Sequence, residues 1–147
     1  MSNPFAHIEL STVGVGAAKK FYQSVFSWKL TDVPAMRYTI INVGKGTGGG
    51  MQEKPMPEAP TAWMPYVEVA DVKQTIAKAV AAGGKAVLPF QEIGGMGTIG
   101  IFVDPQGAAL GVWAAAKKKP AAKKPAKKKP AKKLAKKKPA KKAAAKR

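Results

Sequence analysis

The C-terminal 31 residues set the first limit on what this chain can fold into. From Lys117 to Arg147 there are 16 Lys, one Arg, nine Ala, four Pro and one Leu, with no acidic or aromatic side chain. Nothing in that composition can bury a core, and like-charge repulsion together with prolines at 120, 125, 130 and 139 opposes a long helix. The segment 117–147 is therefore expected to be a disordered, extended arm, reaching roughly 95 Å at the polyproline-II rise. Folding is confined to residues 1–116, a length that suits one domain. The formal net charge of +18 is almost wholly the arm's, because residues 1–116 hold nine basic and eight acidic side chains.

Within those residues strand and helix signals alternate twice. Phe5–Leu10 is a β-favouring run, and after the turn STVGVG the residues Ala18, Phe21, Tyr22, Val25 and Phe26 form one apolar stripe of a helix over Ala17–Phe26. Arg37–Val43 follows as a strand, then the glycine-rich GKGTGGGM. The order repeats with Pro65–Val69 as a strand and Asp71 as N-cap with Gln74 three residues on. Val72, Ile76, Ala79 and Val80 make the second helical stripe, and Gly83-Gly84 the stop. AVLPF, TIGIFV and AALGVW are three further strands, separated by Gly-rich and DPQG turns. The fold class is α+β, two βαβββ modules over about 4–54 and 61–114, joined by the proline-rich KPMPEAPTAW.

Composition excludes several chemistries. With no cysteine there is no disulfide framework, thiolate nucleophile or Cys-ligated metal, and one histidine leaves no Ser-His-Asp constellation to assemble. GKGTGGG lacks GxxxxGK[ST] and precedes no helical pattern, so it reads as a flexible loop and strand edge instead of a phosphate cradle. The N-terminus MSNPFAHIEL has no signal-peptide pattern and no apolar run is long enough to span a bilayer, so a cytoplasmic protein without membrane insertion is expected.

The runs HIELSTVGVGAAKKFYQSVFSWKL, WMPYVEVADVKQTIAKAVAAGGKAVL and GTIGIFVDPQGAALGVW resemble the vicinal oxygen chelate superfamily, which includes glyoxalase I, extradiol dioxygenases and bleomycin-resistance proteins. The resemblance implies an open cleft between the modules, a homodimer, and, in metal-dependent members, four ligands from the first and last strands of each module. His7 matches the first of those positions. The second falls at Gln52 or Glu53, the third near Met64 and the fourth at Gly111, a set too poor to hold a divalent metal. The expectation is thus no metal and no other cofactor, with a divalent ion as the alternative.

Strand alternation places the cleft lining. With His7 pointing in, Glu9 and Phe5 share its face, and in the second module Met64, Tyr66 and Glu68 do the same, with Trp113 on the last strand. His7, Glu9, Met64, Tyr66, Glu68 and Trp113 are the candidate ligand-binding residues, for a small and partly apolar molecule. Glu9 and Glu68, expected at equivalent positions of the two modules, are with His7 the candidate catalytic groups of a glyoxalase-related lyase, isomerase or dioxygenase. The blander reading pairs the carboxylates with a structural partner such as Arg37.

The arm's KKKPAKK repeats resemble the C-terminal tails of linker histones and histone-like bacterial proteins. Lys117, Lys118, Lys119, Lys123, Lys124, Lys127, Lys128, Lys129, Lys132, Lys133, Lys136, Lys137, Lys138, Lys141, Lys142, Lys146 and Arg147 are its candidate nucleic-acid contacts. They would act through counterion release without base readout, consistent with nucleoid association. An anionic membrane, polyphosphate, or a solubilising role stays open beside nucleic acid.

Overall fold

The computed structural model describes residues 2–117. Of the arm's basic residues only Lys117 is among them, and the expectations for Lys118–Arg147 lie outside the described residues. The order is β1 (Phe5–Thr12), α1 (Val15–Val25), β2 (Lys29–Val33), a 3₁₀ turn (Pro34–Met36), β3 (Tyr38–Asn42) and β4 (Gly49–Glu53). The second unit repeats it with β5 (Ala62–Glu68), α2 (Val72–Ala81), β6 (Lys85–Ile93), β7 (Gly97–Val103) and β8 (Ala109–Ala115). This is βαβββ twice, in one eight-stranded sheet ordered β2-β3-β4-β1-β5-β8-β7-β6.

Each module brings its first and last strands together in parallel, β1 with β4 and β5 with β8, and the modules meet where β1 pairs antiparallel with β5. The helices cover one face of the sheet and create one core per module. Leu10, Ile41 and Met51 pack under Val15, Ala18 and Tyr22 of α1, and Val72 and Ile76 of α2 pack on Val112 and Ala114. The Asp71 side chain accepts from the Gln74 amide at 2.9 Å and caps α2, while Gly14 at the start of α1 offers no side-chain cap. Gly83 takes a φ of +95°, which lets the chain leave α2 at the expected place. At DPQG, Asp104 accepts from the amides of Gln106 and Ala108 and Gly107 adopts φ +96°, closing the hairpin into β8.

Two local details go beyond the sequence reading. Lys29–Val33 is a strand although its sequence, KLTDV, gave no separate signal, and GKGTGGG, loop over residues 44–48, ends in Gly49-Gly50, which open β4 and lie buried between β3 and β1. A strand in the middle of a sheet accepts glycine where another group needs the space above the backbone. The apolar stripe that ends α1 is only partly covered, with Phe21 61%, Val25 53% and Phe26 44% exposed.

Candidate functional site

The side of the sheet opposite the helices carries a polar cluster spread over four adjacent strands. His7 and Glu9 project there from β1; directly across the ladder stand Tyr66 and Met64 of β5. On the other side Glu9 faces Gly50 of β4, and Tyr66 faces Gly111 of β8. A Cβ at Gly50 would run into the ring and hydroxyl of Tyr38, and one at Gly111 into the ring of Tyr66. Both tyrosine rings therefore lie flat over bare backbone, and their hydroxyls converge on the carboxylate between them.

Glu9 accepts three hydrogen bonds: from Gln52 Nε2 to Oε1 at 2.8 Å, from the Tyr38 hydroxyl to Oε2 at 3.1 Å, and a longer one from the Tyr66 hydroxyl to Oε1 at 3.4 Å. The Tyr38 oxygen also lies 2.6 Å from His7 Nε2. Since Tyr38 spends its one proton on Glu9, His7 must donate, which assigns the Nε2–H tautomer. The result is a continuous chain His7–Tyr38–Glu9. The His7 ring stacks on Tyr38 and stands edge-on to Tyr66, with both centroids 6.2 Å away.

Burial dominates the electrostatics. It pushes the Glu9 carboxyl above its ordinary 4.5, against the opposing pull of the bonds from Tyr38, Tyr66 and Gln52. It lowers His7 below its ordinary 6.5. Both phenols are pushed far up, by burial first and by the adjacent Glu9 carboxylate second, so they serve as donors and not as acids.

The structure thus unites His7, Glu9 and Tyr66 with Tyr38 and Gln52, the first of which sequence reasoning took only as a strand residue and the second only as a metal position. Met64 stands half-buried opposite Glu9. Glu68 does not belong to the cluster: it is exposed, four residues beyond Met64 and so about 13 Å along the strand. Nor is it the counterpart of Glu9, because the shift of 57 residues that carries the helix cap Gly14 onto Asp71 carries Glu9 onto Tyr66. The expected acid and base pair, Glu9 and Glu68, is thus not brought together in the cluster. Trp113 lies opposite Glu68 and Ile99 with its ring closing on Gly97, a packing arrangement away from Glu9. Arg37, suggested as a carboxylate partner, sits exposed at 3.8 Å from Glu53.

A cavity of about 550 Å³ borders the cluster through Tyr38 and Gln52 and is lined further by Pro34, Met36, Arg37 and Lys54. Among the described residues no three His, Asp or Glu side chains stand close enough to share a metal. Of the His, Cys and Asp/Glu ligands of which a catalytic zinc takes three, the cluster holds two, one imidazole and one carboxylate, beside an amide and two phenols held protonated. The set does not fit a catalytic zinc.

The model of the family described as the Glyoxalase/Bleomycin resistance protein/Dioxygenase superfamily matches residues 5–112. The chain is 34% identical over 115 residues to "Putative glyoxylase CFP32" of Mycobacterium tuberculosis, covering 74% of this chain and 44% of that protein. It is 26% identical over 128 residues to the anthracycline biosynthesis protein DnrV of Streptomyces peucetius, covering 74% of this chain and 46% of the relative. The chain thus spans less than half the length of these curated relatives. Among solved structures, a hypothetical protein, BH1468, from Bacillus halodurans superposes with a TM-score of 0.60 at 14% identity, over 82% of this chain and 99% of that one. Methylmalonyl-CoA epimerase from Mycobacterium tuberculosis does so with a TM-score of 0.58 at 12% identity, over 78% of this chain and 89% of that one. These structural likenesses speak to the fold alone.

Proposed function

The chain belongs to the glyoxalase/bleomycin resistance protein/dioxygenase superfamily, and on that footing we propose that its folded part binds a small molecule at Glu9 without a metal, while the basic arm tethers it to nucleic acid. The observation that carries the first half is the partial saturation of Glu9. A carboxylate offers about four acceptor positions. Gln52 and Tyr66 occupy Oε1 and Tyr38 one position of Oε2, which leaves one acceptor on Oε2 for a ligand N–H or O–H. The ligand is a small, partly apolar molecule with a donor or cationic group.

Thermal-shift measurements with a panel of small amines, amidines and phenols test this. A ligand at a hundred times its Kd adds about 2.7 kcal/mol of stability. Members of the panel are expected to raise the Tm of the parent and not of Glu9→Gln. No shift, or equal shifts in both, overturns the reading, as does stoichiometric metal that His7→Ala abolishes.

The His7–Tyr38–Glu9 chain favours one alternative, an enzyme of the lyase or isomerase kind that moves a proton between ligand carbon and Glu9. It predicts exchange of the α-proton of a bound carbonyl compound with deuterium oxide, slowed in Tyr38→Phe.

The second half rests on the arm's 17 basic residues and lack of acidic ones. Full-length protein is expected to bind duplex DNA with a steep negative salt slope, set by about 0.9 per phosphate neutralised. A chain ending at Lys117 is expected to lose that binding; equal binding by both overturns the tether, and tail-dependent binding to anionic vesicles alone assigns the arm to membranes. The homodimer implied by the family resemblance, and the cytoplasmic, nucleoid-associated location expected from the sequence, belong to the same proposal, the former to be checked by sedimentation.

A further inference from the structure

Three rings at the end of α1 and the start of β2 lie nearly parallel. Phe26 and Trp28 stack at 4.6 Å and 25°, Tyr22 and Trp28 at 5.8 Å and 22°, and Tyr22 and Phe26 at 6.4 Å and 9°. Trp63 of β5 braces them edge-on, 5.3 Å from Tyr22, with its Nε1 donating to the Tyr22 hydroxyl at 3.1 Å. Tyr22 and Trp28 rest on the Leu10–Ile41–Met51 core, which fixes the array from below. Its outer members are open: Phe26 is 44% exposed and Trp63 37%. The chain from Val13 to Thr31, which supplies all three parallel rings, contains Lys19, Lys20 and Lys29 and no acidic residue. Lys19 is bound to Asp32, whereas Lys20 and Lys29 are exposed.

We propose that this array is a base-stacking platform for single-stranded nucleic acid, with bases continuing the stack over Phe26 and phosphates meeting Lys20 and Lys29. Flat aromatic faces combined with positive charge are how sequence-tolerant single-strand binding is built. Charge selects this occupant over a second copy of the chain at this face: the charged side chains of residues 13–31 are all lysines, which attract a polyanion and repel their own image. The inference rests on the nucleic-acid reading of the arm, which supplies the long-range attraction but has no ring on which a base can stack.

The test uses the full chain at low salt with a twenty-residue oligo(dT), an oligo(U) of equal length and a 20-base-pair duplex, reading anisotropy of labelled nucleic acid together with tryptophan emission. Single strands are expected to quench the tryptophans and the duplex to bind without comparable quenching. Phe26→Leu keeps the apolar bulk but not the flat face. It is expected to weaken single-strand binding about five- to a hundredfold, the range a lost stacking partner commands, and to leave duplex binding within about twofold, since that is set by charge. Phe26→Trp is expected to restore single-strand binding. Binding without quenching, or single-strand affinity unchanged in Phe26→Leu, overturns the platform and leaves the arm's role standing. No binding of any nucleic acid overturns both. A drop in sedimentation mass in Phe26→Leu overturns it in favour of a subunit contact. A response to one of the two single strands alone assigns the platform to DNA or to RNA.

Discussion

Glu9 is where the consequences of single side chains are largest. Removing the Tyr38 hydroxyl takes one of three donors from a buried carboxylate and the acceptor from His7. Hydrogen bonds to charged groups contribute about 1.5–3 kcal/mol, so Tyr38→Phe is expected to lower urea-unfolding stability by about that amount at neutral pH. The two ionisable groups give opposite pH dependences. Glu9, raised by burial, is bound to its proton more tightly when folded, so its contribution to stability declines as pH rises from 4.5 through its elevated value. His7, lowered by burial, holds its proton more tightly when unfolded, so its contribution declines as pH falls below 6.5 toward its depressed value. The stability of Glu9→Gln relative to the parent should therefore increase with pH above 4.5, and that of His7→Gln should increase as pH falls below 6.5. Denaturant midpoints across pH 4–8 check both signs. His7, Glu9 and Tyr66 were legible from β alternation alone, because a period of two assigns a face. Tyr38 and Gln52 were not: Tyr38 reaches Glu9 over Gly50, a residue whose message is the absence of a side chain, and Gln52 lies on β4, a strand that hydrophobic periodicity did not reveal.

At the scale of elements, the two glycines opposite Glu9 and Tyr66 act as seats for the rings. Gly50→Ala and Gly111→Ala force the Tyr38 and Tyr66 rings away from the sheet, and overpacking of this kind costs about 1–3 kcal/mol. Both variants are expected to lower the unfolding midpoint, and Gly50→Ala to shift the apparent Glu9 titration upward as the Tyr38 bond is lost, an effect visible in the carboxyl carbon resonance. The helices differ in how they begin. Asp71→Ala, which removes the cap of α2, is expected to cost about 1 kcal/mol. Helix α2 was legible to the residue because its cap, stripe and glycine stop agree. Helix α1 was legible as a helix but not in its burial: the apolar stripe Phe21, Val25 and Phe26 promised a core-facing side, yet all three side chains remain exposed. A stripe records which residues avoid water in some state of the molecule, and not that this chain alone supplies the cover.

For the whole molecule, the pattern of βαβββ twice could be read because each turn and helix stop carries its own local chemistry. The strand order could not, since β1 meeting both β4 and β5 is a long-range outcome. Both apolar cores lie within residues 2–117, so a chain ending at Lys117 is expected to melt within about 2 °C of the full chain at moderate salt, where charge repulsion is screened. Differential scanning calorimetry checks it. The seam between β1 and β5 has a further meaning. The two modules are related by nearly equivalent ladders, yet Glu9 on one side corresponds to Tyr66 on the other. Because position 7 pairs with 66 and position 9 with 64, two copies of the first module would set a second glutamate where Tyr66 stands, and Glu9 would meet a like charge on its diagonal instead of a hydroxyl donor. Joining the halves through residues 54–61 frees each to diverge, and the polarity of the site is what that broken symmetry yields.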